Sequence, residues 1–207
     1  VVFLFKEGVR ALKVEELIAR IKEEGGYVRS GELRSLGVHP SVLPALAREG
    51  ILVRVKRGLY ALPDATSGDE RLEALLSVPG SVLCLGSALS IHGIGTWEPP
   101  EIYLAIQTGR RILVPDSMPI RLFHFAKSTF SMGILEQPMH GRMLRYYDAE
   151  RTVCDLFRLR HLLGGDVAVE ALREYLKRKK RNIPKILDYA GKLNIRGTLE
   201  PLLEALV

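Results

Sequence analysis

Four cations near one another in the sequence are the residues best suited to do chemistry in this chain: Arg48, Arg54, Lys56 and Arg57. No acid–base or metal-ligating partner stands at a spacing that would suit catalysis. What such a set does well is neutralise a polyanion. Long cationic side chains around a turn reach phosphate oxygens and displace condensed counterions. Arg48 adds a planar donor fork able to grip a guanine edge bidentately.

The carboxylates suggest a different chemistry. Gly86-Ser87 followed by Glu101-Ile102-Tyr103-Leu104 has the layout of a nucleotidyltransferase. There a Gly-Ser opens a helix under the triphosphate, and a strand presents two carboxylates at alternate positions to divalent metal. Glu101 stands at the first such position, but Tyr103 occupies the second. A lone carboxylate cannot organise a two-metal site. The pattern is therefore either a relic that kept the fold without the reaction, or a helix cap and an unrelated strand. A nuclease would need an acidic pair with a nearby lysine, and Glu98, Glu101 and Asp116 lack one. Phosphate-binding glycine loops of the Gly-x-x-x-x-Gly-Lys or Gly-x-Gly-x-x-Gly kind do not occur, and no Gly-x-Ser-x-Gly elbow surrounds Ser87 or Ser90. The five histidines (His39, His92, His124, His140, His161) have no ligand spacing. No catalytic residue, no metal and no cofactor are expected.

The cations are positioned by a short run of elements between Ser30 and Leu62. Ser30 is expected to cap a helix over Glu32–Leu36, which Gly37 breaks. After the Val38-His39 corner comes Pro40, at a position that tolerates a missing N–H. The next helix carries Leu43, Leu46 and Ala47 on one face and ends at Gly50. Pro44 lies four residues after Pro40, and an interior proline costs roughly 3 kcal/mol. The helix is therefore expected to begin at Ser41, leaving Pro44 in its first turn. Its exposed face is then Ser41, Val42, Ala45, Arg48 and Glu49, poor in groups that read bases. Ile51–Val55 and Leu59–Leu62 are β-prone runs joined through Lys56-Arg57-Gly58. With an amphipathic first helix over Val14–Glu24 and a short strand at Tyr27-Val28, these elements compose a winged helix-turn-helix. The DNA-contacting set is Ser41, Val42, Ala45 and Arg48 on the helix with Arg54, Lys56 and Arg57 on the hairpin. Arg29 and Arg34 lie near enough to touch phosphates.

The polar stretch Pro63–Gly68 marks a domain boundary, giving a winged domain over 1–67 and a second domain over 68–207. The second reads as α+β, a small sheet with a helical tail. Helices are expected over Asp69–Leu76, whose Leu72, Leu75 and Leu76 face the second domain's core, and over Ser87–His92, closed by Gly93. Strands follow at Ile102–Ile106, Ile120–Phe125 and Met143–Tyr147. Asp148 caps Glu150–Leu163, Asp166 caps Val167–Lys179, Pro184 starts Lys185–Leu193 and Thr198 caps Leu199–Leu206. Lys177–Arg181 is the densest charge run, either a solvated helix end or a contact for nucleic acid or an acidic partner. Glu150, Arg151 and Asp155 are equally suited to stitch a helix to the sheet or to touch a partner.

The 207 residues carry a net charge of +6 and a pI near 9.4, which suit a polyanionic partner. About half of that excess lies in residues 1–67. Cys84 and Cys154 belong to no ligand cluster and are expected to be reduced, buried thiols. The opening VVFLF run is too short for a signal peptide or a membrane span, so a cytoplasmic location is expected. Asn182, Asn194, Gln107 and Gln137 are the only amide side chains, a scarcity that suits a thermophilic source.

Three runs carry a family resemblance: Arg54-Val-Lys-Arg-Gly-Leu-Tyr60, Ser87-Ala-Leu-Ser-Ile-His-Gly93 and Tyr147-Asp-Ala-Glu-Arg-Thr-Val-Cys-Asp155. In this order the chain resembles the abortive-infection antitoxin family AbiEi, the antitoxin half of type IV toxin–antitoxin systems. Pro44 departs from the pattern, since a polar or basic residue suits a DNA-reading helix better. The resemblance implies a winged-helix domain that represses its own operon at inverted repeats in double-stranded DNA. It also implies a C-terminal domain, compatible with a degenerate nucleotidyltransferase lineage, that counteracts a nucleotidyltransferase-like toxin without a stable complex. Two alternatives stay open: a winged-helix-targeted nucleotidyltransferase or nuclease, and a winged-helix protein–protein module.

Overall fold

The computed structural model describes residues 14–35, 39, 41–65, 69–114 and 118–206. The chain divides into two compact units. The first runs to Ser77 and includes Gln137–Leu144; the second comprises Val78–Glu136 and Arg145–Val207. The expected boundary at Ser67 and Gly68 lies outside the described residues.

The first unit begins with α1 (Val14–Glu23), which buries Leu17 and Ile21, the i, i+4 stripe that its sequence promised. Gly25 and Gly26, both at positive φ, turn the chain into β1 (Tyr27–Arg29). Then follow α2 (Ser30–Ser35), α3 (Val42–Arg48), β2 (Val53–Lys56), β3 (Leu59–Ala61), one 3-10 turn (Pro63–Ala65) and α4 (Glu70–Ser77). Ser30 lies within α2 and does not cap it. Glu32 does that work, its Oε2 accepting from the Arg29 backbone N–H at 2.8 Å. Of the turn between α2 and α3, Leu36, Gly37, Val38 and Pro40 lie outside the described residues.

The strands form an antiparallel sheet in the order β1-β3-β2. Its alternation separates two cores. Val28 and Tyr60 face Leu17, Ile21, Leu33, Leu43, Leu46 and Leu52. Tyr27, Leu59 and Ala61 face the other way, and Val55, Ala65 and Leu76 pack on them. α4 is fastened there by polar bonds as well: the Tyr27 hydroxyl donates to Glu73 (2.7 Å), and Arg29 donates to the Leu76 carbonyl (2.6 Å). Leu76, expected to serve the second domain's core, thus covers the first sheet.

The second unit holds β4 (Val82–Leu83), α5 (Leu85–His92), β5 (Ile102–Gln107), β6 (Ile120–Phe125) and α6 (Lys127–Phe130). Next come β7 (Ile134–Met139) and β8 (Arg142–Tyr147), whose turn end belongs to the first unit. The sheet order is β6-β5-β4-β8-β7, with β5 antiparallel to β4 and parallel to β6. The helical tail is α7 (Ala149–Arg158), α8 (Arg160–Leu163), α9 (Gly165–Leu176), α10 (Ile183–Lys192) and α11 (Arg196–Leu206). Asp148 caps α7 as expected, accepting from the Arg151 N–H at 2.7 Å. The helix expected over Glu150–Leu163 breaks at Leu159. Asp166 lies inside α9 and Thr198 inside α11, while Asn182 caps α10, ahead of Pro184. Both cysteines are buried free thiols. The fold class is α+β, as expected.

Candidate nucleic-acid interface

The loop at Gly58 brings β2 and β3 back past the C-terminal half of α3. Gly58 adopts φ +82°, a left-handed value that suits glycine, and its carbonyl accepts from the Ser30 N–H at 2.9 Å. That bond ties the hairpin to the start of α2. Between α3 and the hairpin lies a groove of about 860 Å³ lined by Ser30, Pro44, Ala47, Arg48, Arg54, Arg57, Gly58 and Tyr60. Arg48, Arg54 and Arg57 are exposed, and none of them forms an ion pair among the described residues. The Arg48 Nε reaches back along its own helix, 3.4 Å from the Pro44 carbonyl.

Two expected site residues lie elsewhere. Val42 is only 6% exposed and packs in the helix-side core, so it does not belong to the exposed face. With Pro44 accommodated at the third helical position, where an N–H has no intrahelical partner, the solvent face carries Ser41, Pro44, Arg48 and Glu49, with Ala45 half-buried. Lys56 is the second departure. Arg54 pairs with Tyr60 and Lys56 with Leu59, a register shift that leaves Val55 as an extra residue in β2. Lys56 therefore shares the face of Leu59 and Arg29. Burial and the Arg29 charge lower its pKa. Of the seven residues expected to meet DNA, the groove collects Arg48, Arg54 and Arg57, and Pro44 and Tyr60 join them unforeseen.

Arg29 is half-buried on the face that α4 covers. It is held by Leu76, and burial lowers its pKa against the opposing pull of Glu32. Arg34 has a side chain outside the described residues.

Gly86 and Ser87 both have structural partners. The Ser87 hydroxyl accepts from the buried Tyr103 N–H at 2.8 Å, joining α5 to β5. A Cβ at Gly86 would lie 2.7 Å from Trp97 and 2.8 Å from Pro99, so the glycine is a packing requirement. No group of three or more potential metal-ligating His, Cys, Asp or Glu side chains occurs among the described residues.

The Tyr147–Asp155 run is buried. Arg151 is fully enclosed: its Nε donates to Asp155 at 2.8 Å, its Nη1 donates to the Thr129 and Met132 carbonyls, and its guanidinium lies over the Tyr147 ring. Asp148 accepts from Tyr189, and Glu150 from Tyr175; Lys185 bridges both carboxylates at 3.0 and 3.2 Å. The Tyr189 hydroxyl is pushed up to about 12 by burial and by Asp148. Arg151 thus ties α7 to the segment around α6, while Asp148, Glu150, Tyr175, Tyr189 and Lys185 hold α7, α9 and α10 together. Within Lys177–Arg181, Lys177 pairs with Glu174, Arg178 donates to the His92 carbonyl and Arg181 to the Leu176 carbonyl. No described helix is long and apolar enough to cross a membrane.

Residues 15–63 match the family model described as transcriptional regulator, AbiEi antitoxin. The resemblance read from the sequence is borne out over that stretch, and it supports a transcriptional regulator and antitoxin of a toxin–antitoxin system as the class of function. No curated protein matches the chain.

Proposed function

We propose that this chain is a DNA-binding autorepressor and the antitoxin of a type IV, abortive-infection toxin–antitoxin system. The observation that carries the reading is a coincidence of two boundaries: every residue lining the arginine groove, from Ser30 to Tyr60, falls inside the stretch that matches the antitoxin family. On this reading α1, α2 and α3 with the β1-β3-β2 sheet are a winged helix-turn-helix. α3 enters the major groove of the protein's own promoter at inverted repeats, and the β2–β3 hairpin follows the phosphates. Unpaired arginines suit that role, since a cation already bonded to a carboxylate releases no counterion.

The second unit has its titratable clusters buried in structural bonds, which supports a non-catalytic antitoxin role over the enzyme reading. It opposes a nucleotidyltransferase-like toxin functionally, without a stable complex. The protein acts in the cytoplasm, and its composition fits a thermophilic host. A gel shift of the chain on its own promoter, with growth rescue on co-expression of the adjacent open reading frame, tests the reading. Absence of any duplex shift sinks the repressor half, and absence of rescue sinks the antitoxin half.

A further inference from the structure

Arg48 shares its groove with Arg54 and Arg57, and that juxtaposition changes the work it can do. Resting on the DNA-binding reading above, we propose that Arg48, Arg54 and Arg57 clamp one phosphodiester strand of the duplex, and that Arg48 reads no base. Three features converge on this. Arg48 is the last residue of α3, whereas recognition helices read base edges with their N-terminal residues. Its side chain lines the groove that faces the hairpin, where the other two arginines stand. The groove wall between them is Pro44, Ala47 and Tyr60, which supplies no competing carboxylate and holds the three charges free for one anionic strand.

The consequence concerns specificity. The start of α3 and the residue before it offer Ser41, Pro44 and Ala45 to base edges, and the Ser41 hydroxyl is already engaged by His39 Nδ1 at 2.7 Å. Such a surface recognises thymine methyls and duplex shape, with no bidentate grip on guanine.

The test uses the full chain as wild type, Arg48→Ala, Arg48→Lys and Arg54→Ala. Binding is measured across a salt series to a duplex selected from a randomised library and to an unselected duplex of equal length. Arg48→Ala is expected to weaken both duplexes by the same factor and to flatten the slope of log affinity against log salt by ~0.9, as Arg54→Ala does. Arg48→Lys restores the slope. A loss of preference for the selected duplex by about tenfold or more, with the slope unchanged, makes Arg48 a base reader and overturns the clamp. Failure of the wild type to bind either duplex is a different result: it refutes the DNA-binding reading itself, and the clamp with it.

Discussion

Arg54 and Lys56, two residues apart on one strand, point to opposite faces of the first sheet, because Arg54 pairs with Tyr60 and Lys56 with Leu59. In an unbroken strand residues i and i+2 share a face. The extra residue Val55 reverses that relation and packs its own side chain toward Tyr27, Leu59 and Ala61. Lys56→Ala is therefore expected to leave both duplex affinity and salt slope unchanged, whereas Arg54→Ala flattens the slope by ~0.9. Filter binding at four salt concentrations separates the two. Equal flattening would return Lys56 to the phosphate-contacting set.

His92 gives the fold a dependence on pH. Its Nε2 lies 2.8 Å from the Tyr147 carbonyl, and burial lowers its pKa, with Arg178 acting in the same direction and the Tyr147 carbonyl, Asp148 and Glu150 against it. The folded state thus binds a proton less readily than the unfolded one, whose imidazole titrates near 6.5 (about the ordinary value). As pH falls through about 6.5 the unfolded chain gains protons first, so stability drops and then levels off below the folded pKa. His92→Gln should remove that part of the slope. Denaturant midpoints for the two proteins between about pH 8 and pH 5 check it; parallel curves would show that His92 titrates normally.

Ser87 and Glu101 distinguish a structural site from a vestigial one. Ser87→Ala deprives the buried Tyr103 N–H of its acceptor and should cost about 1–3 kcal/mol. Glu101→Ala should stay within about 0.5 kcal/mol of wild type. Urea denaturation gives both values, and magnesium titration of the wild type should give no calorimetric signal that Glu101→Ala abolishes. Such a signal would revive the metal-site reading.

How far the sequence reveals these features depends on whether a residue's type already carries the constraint. Leu17 and Ile21 show their helix by spacing, Gly58 and Gly93 mark turns through conformations glycine enters readily, and Asp148 caps because its carboxylate meets orphan N–H groups. The bulge at Val55 has no such mark, since any residue fits an extended strand. β7 carries no strand signal in the sequence, because Glu136, Gln137 and Pro138 read as loop, yet this strand lies at the sheet edge, where proline and polar residues are tolerated. Val42 buries because α3 turns its first residue inward, a rotation that periodicity over seven residues does not fix. The attachment of α4 to the first sheet depends on the Tyr27 and Arg29 partners, which are distant in sequence.

The sequence leaves Arg151 equally suited to stitch its helix to the sheet or to touch a partner; it is wholly enclosed with Asp155, whose carboxyl is raised by burial against the pull of Arg151 and Arg158. Arg151→Met leaves that carboxylate with a broken bond and should cost about 3 kcal/mol or more. The double change Arg151→Met with Asp155→Leu should recover part of the loss, because no buried carboxylate is stranded, although the Thr129 and Met132 carbonyls still lose their donor; Arg158 can turn to solvent, being 23% exposed. Guanidinium denaturation of the three proteins measures the coupling. Additive losses would mean that the pair is not a unit.

The reach of the first folding unit can be tested by truncation. A fragment ending at Ser67 keeps α1 to β3 but leaves Tyr27, Leu59 and Ala61 without the cover of Leu76. It also strips the Tyr27 hydroxyl of Glu73 and Arg29 of the Leu76 carbonyl. Burial of a leucine contributes about 1.5–3 kcal/mol, and each hydrogen bond about 0.5–1.5 kcal/mol. Together these approach the whole stability of a domain this small. A fragment ending at Ser77 should therefore unfold cooperatively on heating, while one ending at Ser67 should show a transition at least about 10 °C lower or none. Residues 137–144 are missing from both, so Arg142 and its bonds to Glu32 and the Tyr27 carbonyl are lost equally and do not bias the comparison. Identical melting curves would mean that α4 adds nothing to the first unit.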